Sequence, residues 1–231
     1  MIYITDFRQA DHFDKLFKIL KTLGFDFSNK LVHLPFGTVK FGNEIMATRE
    51  GNIVLLEDVL NKTIEKAKEE IAKRETKGDP QKVGVGAVKY IVLKNEPASD
   101  VQFSWEAALS FDGNTGPYLQ YSYARACSII KKAKNFNKSK VKIEKLEKSE
   151  IELIKKVAEF PEAVKTSADH LNPSIIAAYS FELSKAFNEF YHNNKVIGSK
   201  EEAFRLKLVD AFRTTLKNSL HLLGIEVMSE M

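Results

Sequence analysis

Cysteine occurs once in these 231 residues, at Cys127, so no internal disulfide can form and a reducing cytoplasm is the expected setting. No apolar run reaches the length of a membrane span. The opening Met1-Ile2-Tyr3-Ile4 has neither the basic start nor the long apolar stretch of a signal peptide. Histidine is sparse, and His192 and His221 have no partner at metal-ligand spacing, so no metal site is expected. No Ser/His/Asp or Cys/His pairing supports nucleophilic catalysis. Val83-Gly84-Val85-Gly86 carries a glycine pair but no second glycine-rich turn, which excludes a dinucleotide fingerprint. What is present is 44% hydrophobic and 29% charged, the balance of a globular chain with ample core in one large domain or two smaller ones. A net charge of +4 permits a polyanionic partner without requiring one.

The first seventy-odd residues read as the end of a domain. Ile2-Tyr3-Ile4 has the pattern of a short buried strand. Asp11 can cap a helix with Phe13, Leu16, Phe17, Leu20 and Leu23 inward, ended by Gly24. Lys30 to Leu34 alternates like a second strand. Strand, helix, strand is parallel α/β architecture with too few strands for a whole sheet. The expectation is therefore a chain cut at its N-terminus, monomeric, with dimers possible through the uncovered sheet edge. Lys40 to Asn52, with two glycines, an asparagine and mixed charge, reads as a surface loop. A long helix from Leu55 to about Arg74 follows, with Leu56, Val59, Leu60, Ile64, Ala67 and Ile71 inward. Thr76 to Pro80 breaks it. Asp100 to Ser104 reads as extended, leading into Trp105, the only tryptophan, taken as a wedge between domains.

Asn114 or Thr115 can cap a helix, and Pro117 suits its first turn. Nothing interrupts that helix before about Lys134. At about 100° per residue, Leu119, Tyr123, Ala126 and Ile130 form one stripe, enough to dock on a core. Cys127 lies beside it as a small core residue. Tyr118, Tyr121, Arg125 and Lys132 form another stripe. Two readings of this second stripe stand: half-buried tyrosine packing, or a surface that stacks unpaired bases and holds phosphates. Nine lysines between Lys131 and Lys155 are either a solvated face or further phosphate contacts.

The remainder predicts a bundle of four long helices over about 120 residues. Ser149 with Glu152, and Ser199 with Glu202, read as capping boxes. Asn172 caps a helix started by Pro173, with Ile176, Tyr179, Leu183, Phe187 and Phe190 on one face. The last helix buries Phe204, Leu208, Ala211, Thr215, Leu220 and Leu222 or their neighbours and stops at Gly224.

Trp105-Glu106-Ala107-Ala108-Leu109-Ser110-Phe111-Asp112-Gly113, continuing through Asn114 to Arg125, resembles the opening of the anticodon-binding domain of arginyl-tRNA synthetases. Tyr3 to Phe13 is similar to a late strand–helix unit of the same family's nucleotide-binding catalytic domain. Met46-Ala47-Thr48-Arg49 stands where class I synthetases carry a lysine-methionine-serine-lysine-serine loop, in degenerate form. Asp210-Ala211-Phe212-Arg213 resembles the Asp-Ala-Leu-Arg run that gives the anticodon-binding fold its name, and Met231 matches the terminal methionine usual in the family.

The resemblance covers the whole chain. It implies a mainly α fold: a truncated α/β remnant of a class I nucleotide-binding catalytic domain (residues 1–78), a connecting helical segment (79–112) whose glycines let helices approach closely, and an all-α anticodon-binding bundle (113–231). It implies arginine–tRNA ligase chemistry with tRNA(Arg), arginine, ATP and Mg2+ as ligands of the full-length enzyme. By family position, Gln9 lines the amino-acid pocket and His12 lies toward the nucleotide. Met46, Thr48 and Arg49 form the ATP loop. Tyr118, Tyr121, Arg125, Lys132, Tyr191 and Met231 with its carboxylate hold the anticodon loop. The His-Ile-Gly-His type signature is absent from these residues, so no ATP or metal is expected on the 231-residue chain, which is predicted inactive alone. Two alternatives stand beside this reading: a free-standing, non-catalytic tRNA-binding or regulatory protein, and a helical scaffold whose tyrosines pack on a protein partner.

Overall fold

The computed structural model describes residues 1–41, 44–45, 55–74, 77–133 and 145–231, with 44–45 as backbone. Strand β1 (Ile2–Asp6) is followed by a 3-10 turn and helix α1 (Ala10–Thr22), and then by β2 (Val32–Phe36), which pairs with β1 in parallel. This is the strand–helix–strand unit that the alternation predicts. Tyr3, Phe13 and Phe17 pack as an aromatic cluster between β1 and α1, and the His33 ring stacks on Phe13 at 4.6 Å. Three expectations fail here, one being Leu23, which is 68% exposed just past the end of α1. Ile2 and Ile4 are 48% and 64% exposed, because among the described residues α1 covers only the Tyr3 side of the strand. Gln9, not Asp11, occupies the cap position of α1, and Asp11 instead pairs with Lys15 one turn on. Gly24, at φ 79°, ends the helix in the left-handed conformation glycine tolerates.

Strand β3 (Val39–Phe41) forms an antiparallel pair with β4 (Glu44–Ile45) and a parallel pair with β5 (Val101–Phe103), so the extended segment near 100 is recruited into a second small sheet. Between β4 and β5 run α2 (Leu56–Lys73) and α3 (Pro80–Leu93). Asp79 caps α3, its carboxylate accepting from Gln81 N at 2.9 Å. The glycines of α3 let backbones meet: a Cβ on Gly84 would lie 2.9 Å from the backbone of Ile64 in α2. Leu56, expected inside, is 66% exposed, and Thr63 takes an inward place, its hydroxyl donating to Val59 O.

After α4 (Trp105–Leu109) comes the bundle: α5 (Gly116–Lys132), α6 (Lys148–Ala158), α7 (Phe160–Asp169), α8 (Ser174–Asn193) and α9 (Glu202–Leu222). It holds five helices among the described residues, not four, since the stretch from 148 to 169 breaks at Glu159 ahead of Pro161. The first capping box is Glu147 with Glu150, two residues before the one expected, and Ser149 instead accepts from Asn194. The Ser199–Glu202 box does not form either: α9 begins at Glu202, whose carboxylate takes Gly198 N. Ile176, Tyr179, Leu183, Phe187 and Phe190 of α8 are all buried, as is Phe212 of α9, which stacks on Phe187 at 3.8 Å. The buried side of α9 is Leu206, Leu208, Val209, Phe212, Leu216 and Leu220, while Leu222 is 54% exposed.

A second apolar cluster joins α2, α3, β5 and α4. Trp105 sits at its edge against Phe41 and Phe103, with the Lys62 ammonium 4.1 Å from its ring centre. This tryptophan packs rather than offering an open stacking face. The tail after α9 ties both clusters, placing Ile225 in the bundle core and Met228 and Met231 against the second cluster.

Candidate nucleic-acid interface

The interface is built on α5. Thr115 starts it, its hydroxyl accepting from Tyr118 N and donating to Ser110 O. Gly116 allows the helix to abut α3, since a Cβ there would meet Gly86 O at 2.8 Å. Leu119, Tyr123, Ala126 and Ile129 then fix one face of α5 in the bundle core, and the rotation this sets turns Tyr121, Arg125, Ser128 and Lys132 toward a cleft of about 1260 Å³. Helix α8 supplies the facing wall with Asn188, Tyr191 and His192, the chain from Asn194 to Ile197 forms the rim, and Ser229 to Met231 close the end.

Of the six residues expected to hold RNA, Tyr121, Arg125, Lys132, Tyr191 and Met231 line this one cleft. The Arg125 guanidinium lies 4.8 Å from the Tyr121 ring centre and 5.5 Å from that of Tyr191, a cation–π contact to both. Tyr118 is the exception. Its ring packs toward Phe181 at 5.8 Å, and its hydroxyl accepts from Asn188 Nδ2 at 2.8 Å, so it stands behind the cleft wall. Half-buried packing describes Tyr118, and the Tyr191 ring also lies 6.4 Å from that of Phe187 while it lines the cleft.

The walls are cationic. Lys77, Arg125, Lys131, Lys132 and Lys195 face one acidic side chain, Glu230. Glu230 pairs with Lys131 at 2.6 Å, and that hydrogen bond, then the charges of Lys131 and Lys77, holds its carboxyl below the usual range. A cleft with exposed aromatic edges and surplus positive charge can stack bases while it neutralises phosphates. Sequence reasoning missed Asn188, Lys77 and Lys195. Asn188 was findable, three positions before Tyr191 on the same helix face. Lys77 was not, because it comes from the segment before α3, far from α5 in sequence.

Elsewhere, Gln9 and His12 are both exposed at the end of β1 where parallel α/β units bind ligands. Met46, Thr48 and Arg49 lie outside the described residues, as do Lys134, Lys138, Lys140 and Lys142 of the lysine-rich stretch. The Asp210–Arg213 run is structural: Phe212 fills the core, and Arg213 pairs with Asp210 at 2.6 Å. Cys127 is only half-buried, packed against the same core. Among the described residues no cluster of His, Cys, Asp and Glu could hold a metal ion, and no helix is long and apolar enough to cross a membrane.

Comparison with known proteins agrees with the geometry. Residues 1–105 match the class I tRNA synthetase (R) catalytic domain and residues 119–231 the DALR anticodon-binding domain. The fold and these matches thus define part of a class I aminoacyl-tRNA synthetase, catalytic-domain sequence followed by an anticodon-binding bundle. An arginine–tRNA ligase from Clostridium perfringens is 43% identical across all of this chain, and one from Halothermothrix orenii 40%. The arginyl-tRNA synthetase of Thermus thermophilus superposes over the full chain with a TM-score of 0.88 at 28% identity, covering 41% of that chain, and the Plasmodium falciparum enzyme with 0.85 at 29%, covering 41%. The chain belongs to the arginyl-tRNA synthetase family, and spans 42% of the length of the curated relatives it matches.

Proposed function

We propose that these residues grip the anticodon loop of tRNA(Arg) for an arginine–tRNA ligase, a cytoplasmic monomer that joins arginine to tRNA at the expense of ATP. The observation that carries this reading is the Arg125 guanidinium set between Tyr121 and Tyr191 in a cationic cleft. Unstacked loop bases find π faces on the two rings, and the phosphates linking them find Arg125 and Lys132. Gln9 and His12 belong, in the same proposal, to the amino-acid and nucleotide side, and Met46, Thr48 and Arg49 to the ATP loop. ATP and Mg2+ enter it as ligands of the whole enzyme. In this reading residues 1–78 belong to the catalytic domain, 79–112 connect, and 113–231 form the anticodon-binding bundle.

The test is a titration of the 231-residue chain with tRNA(Arg) and with the same tRNA altered in its anticodon. Tighter binding of the unaltered tRNA is expected, and equal binding of both refutes anticodon recognition. Affinity should fall as salt rises, with the slope reduced by about 0.7 on changing Arg125→Ala, the share of one phosphate contact on single-stranded nucleic acid. A salt-independent complex would favour a protein-binding scaffold. The chain alone should show no arginine-dependent ATP–pyrophosphate exchange, and measurable exchange would overturn that part.

A further inference from the structure

Arg125 is held in place by a residue that no family position brought to notice. We infer that Asn188 is a positioning residue for RNA recognition, fixing the Arg125 guanidinium between Tyr121 and Tyr191 while leaving its charge uncancelled. This deepens the function proposed above and rests on it.

The Asn188 side chain has its two ends assigned by its neighbours. Its Nδ2 donates to the Tyr118 hydroxyl at 2.8 Å and to Ser122 Oγ at 3.2 Å. Ser122 Oγ already spends its proton on Tyr118 O at 2.9 Å, so toward Asn188 it can only accept. The amide nitrogen must therefore face the two hydroxyls, and Oδ1 is left pointing at Arg125, whose Nη1 donates to it at 2.6 Å. A guanidinium has five N–H groups, and among the described residues this is its only hydrogen bond. The rest of the fork stays available for phosphate or base edges.

The chemistry of the amide matters. An aspartate in this place would aim the same way but cancel the guanidinium's charge in an ion pair, and Arg–carboxylate pairing is strong. Asparagine orients without neutralising. The chain Tyr118–Asn188–Arg125 also gives Tyr118 a part in the cleft although its ring lies behind it.

The experiment uses the 231-residue chain and tRNA(Arg) at a series of salt concentrations. Asn188→Ala frees the guanidinium but keeps its charge, so affinity should fall roughly tenfold or more, as for loss of a hydrogen bond to a charged group, with the salt slope unchanged. Asn188→Asp should weaken binding too, but with a slope smaller by about 0.7, the signature of one cancelled phosphate contact. A purely structural tie between α5 and α8 would not separate the two variants by slope. Equal slopes, or wild-type affinity for Asn188→Ala, would overturn the inference. If either change unfolds the chain, Tyr118→Phe removes a single oxygen and should still weaken binding several-fold; unaltered affinity there counts against the chain of contacts. Thermal unfolding without RNA of Arg125→Ala, Asn188→Ala and the double variant should be non-additive, and additivity would deny the contact itself. Failure of the unchanged chain to bind tRNA overturns the parent reading together with this one, whereas binding indifferent to Asn188 overturns this one alone.

Discussion

The two ends of the molecule solve burial differently. In the β1–α1–β2 unit only Phe13 and Ser28 are buried, and Ile2, Ile4, Phe7, Val32 and Phe36 are 39–64% exposed. In the bundle, Leu119, Leu153, Leu183, Phe187, Phe190, Phe212, Leu216 and Leu220 are all completely inaccessible or nearly so. Apolar area removed from water contributes roughly 25 cal/mol per Å², so the bundle carries most of the hydrophobic stabilisation and the leading unit little. Polar groups follow the same division. The bundle buries Glu150, whose carboxylate takes the Arg205 guanidinium at 2.7 Å while the same guanidinium donates to Lys195 O on the cleft rim. The ion pairs of the leading unit, such as Lys15–Asp11 and Lys18–Asp14, are exposed and contribute little. The lesson is that the candidate RNA site stands on the self-supporting part of the chain.

That contrast can be broken most forcefully at Phe212. Phe212→Ala removes a fully buried ring stacked on Phe187, and should cost about 3–5 kcal/mol, read as a lower midpoint in denaturant. The same change at Phe13 should leave the bundle's transition where it was. An intermediate effect is expected where the bundle meets the rest. Gly116→Ala sets a methyl against the backbone of Gly86 and Ala87, which cannot swing aside, so α5 must shift off α3 at a cost of about 1–3 kcal/mol. Unchanged stability would mean the joint is looser than its spacing. The smallest effect lies at Asp6. Hydrogen bonds from Arg8, side chain first and then backbone N–H, depress its carboxyl from 3.8 to about 2. A depressed carboxyl stabilises the fold above its unfolded value and loses that contribution as pH falls toward its folded one, so the window runs from about pH 4 down to 2. An NMR titration of Asp6 should show the value rise toward 3.8 in Arg8→Ala, with no change in the bundle.

Periodicity made the helices legible, and the bundle's inward faces with them, because each helix there has one wide apolar stripe and one partner surface. Leu119, Tyr123 and Ala126 were placed correctly on that ground, and so were Tyr121 and Arg125 on the other side. Tyr118 misled because its stripe position says nothing about what lies opposite, and Asn188 comes from 70 positions away, with Phe181 on the same helix. Caps were the weakest point. Ser149, Glu152 and Ser199 have the right types at the right spacing, yet Glu147 and Glu202 take the backbone groups, while Ser149 is engaged by Asn194 and Ser199 turns back to donate to Val196 O. Lys77 and Lys195 were not legible, since they reach the cleft from the segments before α3 and after α8, far from α5 in sequence.

The parallel pairing of β3 with β5 has a kinetic consequence. Thr38 N donates to the Asp100 carboxylate across 62 positions of chain, and everything between them, α2 and α3 included, has to be laid down before those strands can find one another. Closure of so long a loop is entropically late. The β3–β5 pair should therefore form after the α2–α3 hairpin it encloses, and its amide protons should trade with deuterium sooner than those of α2 and α3.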